Sequence, residues 1–374
     1  SLVMKGKALT KNHKYNFLFV SWANEEDFLS NGEYFDRYFK ISSKHKKILW
    51  LLIFTGRNIP KKVDGNILII HNKKVFFKYN LFFLVNYFLT IITRNRLDFK
   101  NIFHQLRQET CFALKMDSFL KEILSKKKID RLYLPYESQT FQNKIILTAK
   151  AYNKRIKVYG YDHSIDALPI NNIYKSPSPD FLYIHSHAQK NIYIKFLKWP
   201  KKKIISIPSL RFLKKGKQFF DQKIFLPYNI FSKDELIKNF EIFLNYFSSK
   251  KIKSFNVRIH PFQKKSKKNN LFKKEINDLI KNYENIFSNT SKHSYSVFFG
   301  ATSSVIEALE NGSNVIHIVD NATFETYSSK LWPSINVNMI NKNIFRYTLK
   351  TKNKCITFGN RQRNFNLPNF LPKV

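Results

Sequence analysis

Residues 298–318, FFGATSSVIEALENGSNVIHI, carry the clearest fold signal in this sequence. Two short apolar runs enclose a hydroxyl-rich turn, Thr302-Ser303-Ser304, then a short helical pattern and a glycine, Gly312. Short apolar runs are typical of buried strands, and a glycine after a helical pattern is a common helix stop. The segment therefore predicts a strand, a helix that begins at the hydroxyl turn, and a second parallel strand.

The same alternation extends over most of the chain. Strands are predicted in the first half at 16–22, 48–54, 66–70, 131–134 and 156–160, with helices at 102–125 and 138–152. A second series has strands at 223–226, 255–259, 296–299 and 314–318, with helices at 232–247, 271–283 and 303–311. Alternating strands and helices predict an α/β fold with parallel sheets.

A chain of 374 residues is too long for one ordinary core, so two domains are expected. Pro208, Gly216 and several basic residues interrupt the apolar pattern between 207 and 221. We therefore predict two Rossmann-like domains, 1–212 and 213–374, which face each other across a cleft. Such folds bind ligands at the carboxyl ends of their strands.

Composition excludes several classes of protein. The hydrophobic fraction of 43% and the aromatic fraction of 16% exclude a disordered chain. Cys111 and Cys355 are the only cysteines, which excludes a disulfide framework and favours a reducing compartment. Residues 1–14 lack the apolar core of a signal peptide, so we expect a cytoplasmic protein.

The net charge of +39 would attract nucleic acid, anionic lipid or phosphorylated substrates. Abundant Lys, Asn, Ile and Phe with few Gly residues also indicate an AT-rich coding bias, which explains part of this charge. The basic residues are dispersed, so no nucleic-acid partner is expected. Residues 75–93 are apolar but interrupted by Lys78, Asn80 and Asn86, and they fit a buried helix or an interfacial one better than a membrane span.

Two motifs in the second half suit a phosphate. Hydroxyls and backbone N–H groups at a helix start can converge on a phosphate, and Glu307 can accept from a ribose hydroxyl; the alternative is an ordinary capping box at Ser304 and Glu307. Upstream, the strand containing Arg258 ends at His260-Pro261, and an imidazole there can donate to a phosphate oxygen.

The first half offers carboxylates after two strands. Glu137, within Tyr136-Glu137-Ser138-Gln139, can act as a base, a nucleophile or a stabiliser of an oxocarbenium ion, or can merely favour the following helix. Asp162-His163 follow Gly160-Tyr161 and pair an acid with a base. Arg211 is a further candidate that can clamp a carboxylate or a phosphate.

The pair formed by Arg258-Ile259-His260-Pro261 and Thr302-Ser303-Ser304-Val305-Ile306-Glu307-Ala308 with Gly312 resembles the nucleotide-binding half of bacterial GT-B glycosyltransferases that use CMP-activated acidic sugars. Pro135-Tyr136-Glu137-Ser138-Gln139 and Gly160-Tyr161-Asp162-His163 look like motifs of surface-carbohydrate biosynthesis proteins. The chain lacks the Asp/Glu-Asp/Glu-Gly triplet that is typical of inverting bacterial sialyltransferases, which favours a Kdo- or pseudaminate-type relative. Asp162 stands where an amide is expected, so either Asp162 or Glu137 is the catalytic carboxylate.

The resemblance implies an enzyme that transfers a nonulosonic acid or Kdo-type sugar from a CMP-sugar to a surface glycan or lipid-linked acceptor. It implies a phosphate site made by Arg258, His260, Pro261, Thr302, Ser303, Ser304 and Glu307, catalysis by Glu137, Asp162 and His163, and substrate contacts from Tyr136, Gln139 and Arg211. No metal and no other cofactor is expected, and the basic surface suits peripheral contact with the inner face of an anionic membrane. The alternatives are a GT-B enzyme with a UDP- or GDP-sugar donor and a basic nucleic-acid-binding protein.

Overall fold

The structure is a computed structural model, and it describes residues 2–10, 13–72, 108–260, 263, 266–352 and 354–359. The apolar segment 75–93 and Pro261 lie outside these residues. The chain forms two compact units. The first comprises the described residues of 1–162 with 174–183, and the second comprises 163–173 and the described residues of 184–362.

The first unit is built on a mainly parallel sheet. Its strands are β1 (Leu2–Lys5), β2 (Phe17–Ala23), β3 (Ile48–Phe54), β4 (Ile67–Asn72), β5 (Arg131–Pro135), β6 (Lys157–Tyr161) and β7 (Phe181–Ile184). They follow the order β1-β4-β3-β2-β5-β6-β7, in which only the edge strand β1 is antiparallel to its neighbour. Every residue of β3 is buried, as expected for a continuous apolar run in a sheet covered on both faces. Helices α1 (Gln108–Lys126) and α2 (Thr140–Tyr152) pack against each other.

The second unit contains a six-stranded sheet. Besides the short β8 (Ile204–Ser206), its strands are β9 (Lys223–Phe225), β10 (Asn256–Arg258), β11 (Ser296–Phe299), β12 (Val315–Ile318), β13 (Ile335–Asn341) and β14 (Ile344–Leu349). The sheet order is β10-β9-β11-β12-β14-β13, with β9 to β12 parallel and the hairpin β13–β14 antiparallel. The helices are α3 (His187–Lys195), α4 (Lys233–Tyr246), α5 (Lys267–Asn282), α6 (Ser304–Glu310) and α7 (Ala322–Glu325).

The predicted α/β class, with two sheets dominated by parallel strands, is confirmed. In the second unit, α4 and α5 cover one face of the sheet and share a core with it, and Phe240, Phe243, Phe272 and Phe299 are among its buried members. The placement of two domains across a cleft stays a prediction. None of the described helices is both long and apolar enough to cross a membrane.

Residues 184–212 belong to the second unit by their contacts, whereas the sequence prediction placed a domain boundary after 212. Backbone bonds explain the difference. Ser209 N–H donates to Thr357 O at 2.7 Å, Thr357 N–H donates to His185 O at 3.0 Å, and Gly359 N–H donates to Phe212 O at 3.1 Å. These partners are more than a hundred residues apart, so local composition did not reveal them.

Candidate functional site

Three loops of the second unit meet at the carboxyl end of its sheet. Because β9 lies between β10 and β11 and all three strands are parallel, the segments that follow them leave the sheet side by side. The Leu226 N–H donates to Arg258 O at 2.9 Å. A Cβ atom built on Gly300 would lie 3.2 Å from Pro227 Cβ, so the loop after β9 also packs against the start of the hydroxyl turn. The structure thus places two of the predicted phosphate motifs on either side of Pro227 and Tyr228.

His260 lies at this edge beside Tyr228. The two ring centroids are 5.2 Å apart and the rings are nearly perpendicular, at 77°. Burial lowers the pKa of His260, and the positive charge of Arg211 lowers it further. His260 is therefore neutral at pH 7 in the absence of an anion. The effect of Arg211 on its pKa also indicates that the two side chains lie near each other.

Arg211 also contacts the segment of His163, a second histidine. Its Nη1 donates to His163 O at 3.1 Å. Burial lowers the pKa of His163 well below its usual range, and Arg211 and His185 both add to that shift. His163, His185, Arg211 and His260 therefore form one electrostatically coupled group, the cationic cluster, in which Arg211 carries the permanent charge. Arg211 also acts on the carboxyl of Asp166, where it opposes the rise in pKa that burial causes. A negative ligand placed there would offset the charge of Arg211 and favour the protonated form of the histidines.

The hydroxyl turn is attached to the segment that carries His163. Ser303 Oγ accepts a hydrogen bond from the Ile165 N–H at 3.1 Å. The buried Tyr327 hydroxyl donates to Ile165 O at 2.8 Å and lies 3.2 Å from Thr302 O. Trp332 Nε1–H donates to Ala167 O at 3.2 Å. The Ile165 N–H is thus bonded to the hydroxyl turn and the Ile165 carbonyl to Tyr327. These two bonds fix the segment of His163 relative to Ser303.

The start of α6 differs from a simple capping box. Ser303 occupies the cap position with helical backbone angles, φ −66° and ψ −16°, and its side chain makes no capping bond. Thr302 Oγ1 accepts from the Ser304 N–H at 3.2 Å. Because the Ser303 oxygen already accepts from Ile165, its own hydroxyl proton is the group left to donate to a ligand. The helix has only seven residues, so we assign the attraction for an anion to the cationic cluster.

Glu307 is buried in the same helix, and its Oε1 lies 2.9 Å from Lys215 Nζ. The ion pair gives this carboxylate a partner inside the fold. The predicted contact with a ribose hydroxyl stays a prediction. Arg258 is exposed on the edge strand β10, and together with burial its charge lowers the pKa of Lys223.

A buried histidine, His317, bonds to the backbone at the start of the hydroxyl turn. Gly300 has φ +63°, a left-handed conformation that glycine adopts without strain. His317 Nε2 lies 2.7 Å from Gly300 O and must be the donor, because a carbonyl only accepts. Burial lowers the pKa of His317 to about 4, so the ring is neutral at pH 7. The Tyr347 hydroxyl oxygen lies 3.5 Å from His317 Nδ1. The same oxygen accepts a hydrogen bond from the Tyr327 N–H at 3.2 Å.

In the first unit, Glu137 and Asp162 follow neighbouring strands. Pro135 of β5 pairs with Tyr161 of β6, and the Tyr136 N–H donates to Tyr161 O at 2.8 Å. The two acids therefore leave adjacent strand ends, as the sequence predicted. Asp162 is 2% exposed, whereas Glu137 is half-buried, so Glu137 is the more accessible carboxylate.

The Glu137 turn is held by Gln142. Gln142 Oε1 accepts from the Glu137 N–H at 2.9 Å and the Gln139 N–H at 3.0 Å, while its Nε2 donates to Pro135 O at 2.8 Å. Gln139 occupies the cap position of α2, and its Nε2 donates to Glu137 Oε2 at 3.1 Å. The cap residue of this helix is therefore not Glu137. A direct role of Gln139 with substrate stays a prediction.

The ring of Tyr136 is buried, and its hydroxyl donates to Asn143 Oδ1 at 3.1 Å. Burial raises the pKa of Tyr136. A Cβ atom on Gly160 would lie 2.9 Å from Tyr136 Cβ, which is why a glycine precedes Tyr161 and Asp162. The structure places Tyr136 as a packing residue, and its predicted contact with substrate stays a prediction.

Sequence reasoning missed several residues of these sites. Tyr228 lies three residues after the end of β9, so the rule that identified His260 after its strand could have found it. Gln142 stands at the third position of the helix after the Glu137 turn, where a capping pattern could have identified it. His185 and Tyr327 gave no such signal, because each acts through a charge or a backbone group that folding brings close. No three His, Cys, Asp or Glu side chains in the described part of the chain come together as a metal site, and metal independence stays a prediction.

No family model matches the sequence, and no curated protein matches it significantly. Among solved structures, the crystal structure of a glycosyltransferase from Rickettsia africae ESF-5 is similar over 84% of this chain and 81% of that one. The two share 11% sequence identity with a TM-score of 0.39. These values are too low to transfer residue roles from that enzyme to this chain.

Proposed function

We propose that this protein is a glycosyltransferase that moves a nonulosonic acid or Kdo-type sugar from a CMP-sugar to a bacterial surface glycan. The observation that supports it most is the cationic cluster of the second unit, which is fixed to the hydroxyl turn by the Ser303–Ile165 bond. Both lie where parallel sheets bind ligands, beyond the carboxyl ends of the strands. A cluster of this kind suits the phosphate of a nucleoside monophosphate.

In the proposed reaction, the bond between the anomeric carbon of the sugar and the phosphate oxygen breaks, and its electron pair leaves with CMP. An acceptor hydroxyl forms the new bond to that carbon and loses its proton to a carboxylate, Glu137 or Asp162 of the first unit. His260 and the Ser303 hydroxyl donate to the departing phosphate as negative charge develops on it. Stabilisation of charge that appears in the transition state lowers the barrier.

The lowered pKa values of His163 and His260 fit this role. In the free protein both rings are neutral at pH 7, which limits repulsion with Arg211. A bound phosphate dianion adds negative charge and raises the pKa of each ring. As negative charge develops on the leaving phosphate, the rings are thus more readily protonated and can donate a charged hydrogen bond to it.

The acceptor and the location are proposed from charge. Residues 181–220 hold ten Lys and Arg residues and no Asp or Glu. An acid-free basic segment is attracted to anionic lipid. We place the protein at the inner face of the cytoplasmic membrane, where a lipid-linked glycan acceptor would lie.

A UDP- or GDP-sugar donor is the alternative, because phosphate contacts alone do not identify a base. Melting temperature with CMP, UDP or GDP separates the donors, since a ligand that binds only the folded state raises it. The proposal expects the largest increase with CMP. A larger increase with UDP or GDP would favour the alternative donors, and tight salt-sensitive binding of duplex DNA without sugar-nucleotide hydrolysis would favour the nucleic-acid hypothesis.

Slow hydrolysis of a panel of CMP-sugars tests the residues. We expect His260→Ala and Glu137→Gln each to lower turnover about 100-fold or more. His293→Ala and Glu109→Gln alter exposed residues of the same two units and serve as matched controls with unchanged turnover. Wild-type turnover in both His260→Ala and Glu137→Gln would show that the catalytic assignments are wrong.

A further inference from the structure

Tyr228 is an exposed aromatic residue in the middle of the candidate site. It has 50% of its surface exposed, although it follows the strand β9 by only a few residues. Tyrosine is a large, mostly apolar side chain, and a ring kept open beside polar groups is a common feature of sites that bind flat ligands. The sequence motifs assign no role to this ring.

The position of Tyr228 follows from the order of the strands. The loop that carries it lies between the loop of His260 and the hydroxyl turn, because β9 lies between β10 and β11. Its neighbour Pro227 packs against Gly300, at the start of that turn. Its ring is 5.2 Å from the ring of His260, centroid to centroid. The aromatic surface is therefore continuous with the groups proposed to hold the phosphate.

A nucleoside monophosphate matches this pair of surfaces. It carries a flat base on one side of a ribose and a dianionic phosphate on the other. The cationic cluster suits the phosphate, and an open aromatic ring suits the base, since stacking of a base on an aromatic side chain is favourable for every base. The two surfaces meet at His260.

We propose that Tyr228 is the platform on which the nucleobase of the donor stacks. This inference rests on the proposed function, because it takes the same site to hold the phosphate. Stacking recognises the flat face of a base and not its hydrogen-bonding edge. Tyr228 therefore contributes affinity for CMP and UMP alike, and the choice between cytosine and uracil falls to other groups.

The test compares a ligand that has a base with one that lacks it. Binding of CMP, UMP and ribose 5-phosphate to the full chain is measured by titration calorimetry for wild type, Tyr228→Ala and Tyr228→Phe. We expect Tyr228→Ala to weaken CMP and UMP about 10-fold each and to leave ribose 5-phosphate unchanged. Tyr228→Phe keeps the ring and should bind all three ligands as wild type does.

Tyr246→Ala is the matched control. Tyr246 belongs to α4 of the same unit and is 54% exposed, so its truncation removes a similar exposed ring. The affinities of Tyr246→Ala for CMP, UMP and ribose 5-phosphate should equal those of wild type. A melting temperature for each variant separates loss of binding from loss of folding.

The outcomes distinguish this inference from the proposed function. If wild type binds CMP and Tyr228→Ala binds it equally well, the base lies elsewhere and the inference is wrong, while the phosphate site stands. An equal loss of CMP and ribose 5-phosphate in Tyr228→Ala would also overturn stacking, because the ring would then act through His260. If wild type binds no nucleotide, the proposed function fails and the inference fails with it.

Discussion

The turn after β5 and the turn after β11 follow similar buried strands, yet different kinds of contact hold them. In the first unit, Gln142 bonds to three backbone groups of residues 135–139 from the first turn of the next helix. In the second unit, the hydroxyl turn is held by His317 and Tyr327 and by the backbone of Ile165, far away in sequence. One turn is local and the other joins distant segments.

The difference bears on function. A turn that is held locally can position Glu137 with little dependence on the rest of its unit. The hydroxyl turn fixes Ser303 and the His163 segment together, so the parts of the proposed phosphate site are positioned by the same contacts. We expect changes in the first turn to act on local order and changes in the second to act on ligand binding as well.

The largest expected effect comes from Gln142→Leu. The substitution removes three hydrogen bonds in a buried position and leaves two N–H groups and one carbonyl without their partner. The buried Pro135 carbonyl left unsatisfied costs about 1–3 kcal/mol and each part-buried N–H group about 0.5–1.5 kcal/mol, so we expect a loss of about 2–6 kcal/mol of unfolding free energy. Amide exchange of residues 136–143 should rise, and exchange of residues 300–304 should stay as in wild type.

Gln139→Ala is the control for that experiment, because Gln139 is exposed and its side chain donates to the neighbouring Glu137 carboxylate. Its unfolding free energy should fall by at most about 0.5 kcal/mol. If Gln142→Leu lowered the unfolding free energy equally little, the bonds of Gln142 would not be what holds this turn.

His317→Gln tests the second turn through pH. The folded-state pKa of His317 is about 4, below the value near 6.5 expected in the unfolded chain. As pH falls below about 6.5, His317 binds a proton in the unfolded state but not in the folded state, so the unfolding free energy falls. The decrease is complete below about pH 4, where the folded state binds the proton too. His317 thereby contributes about 3 kcal/mol of acid destabilisation.

We expect denaturant unfolding of wild type and His317→Gln to show a stability difference that shifts by about that amount in favour of the variant between about pH 7 and pH 4. His293→Gln changes an exposed histidine of the same unit and should leave the pH profile of wild type unchanged. Parallel profiles for wild type and His317→Gln would contradict a neutral, buried His317.

Tyr327→Phe removes one buried hydroxyl and tests the connection between the turn and Ile165. The carbonyls of Ile165 and Thr302 lose their common donor, which costs about 1–3 kcal/mol. We also expect weaker CMP binding, because His163 and Ser303 are no longer held in one arrangement. Tyr283→Phe, which removes an exposed hydroxyl 3.4 Å from Glu241, should change neither quantity. A loss of stability without a loss of CMP affinity would reduce Tyr327 to a structural role.

Ser303→Ala has the smallest expected effect on folding. It removes one acceptor for the Ile165 N–H, a loss of about 1 kcal/mol. Its effect on CMP affinity should exceed that of Ser304→Ala, if the Ser303 proton is the donor that reaches the phosphate. Calorimetric titration of both variants with CMP checks this order, and a larger effect of Ser304→Ala would reverse the assignment.

The same contrast explains what the sequence could predict. Buried runs such as 48–54 and 296–299 identify strands on their own, so the α/β class follows from local pattern. The hairpin β13–β14 was missed, because β13 has no continuous apolar run: three of its seven residues are Asn, and all but Ile335 are half-buried or exposed. The predicted carboxylates and His260 do follow strand ends, as the pattern indicated. The bonds of Tyr327 and Ser303 join segments far apart in sequence, and no local pattern encodes them, whereas those of Gln142 stay within residues 135–142.

A crystal structure of the full chain with CMP tests the phosphate site most directly. We predict the CMP phosphate within hydrogen-bonding distance of Ser303 Oγ and the His260 ring, with Arg211 beside it. CMP bound away from the loops that follow β9, β10 and β11, or bound there without contact to His260 and Ser303, would contradict the proposed site.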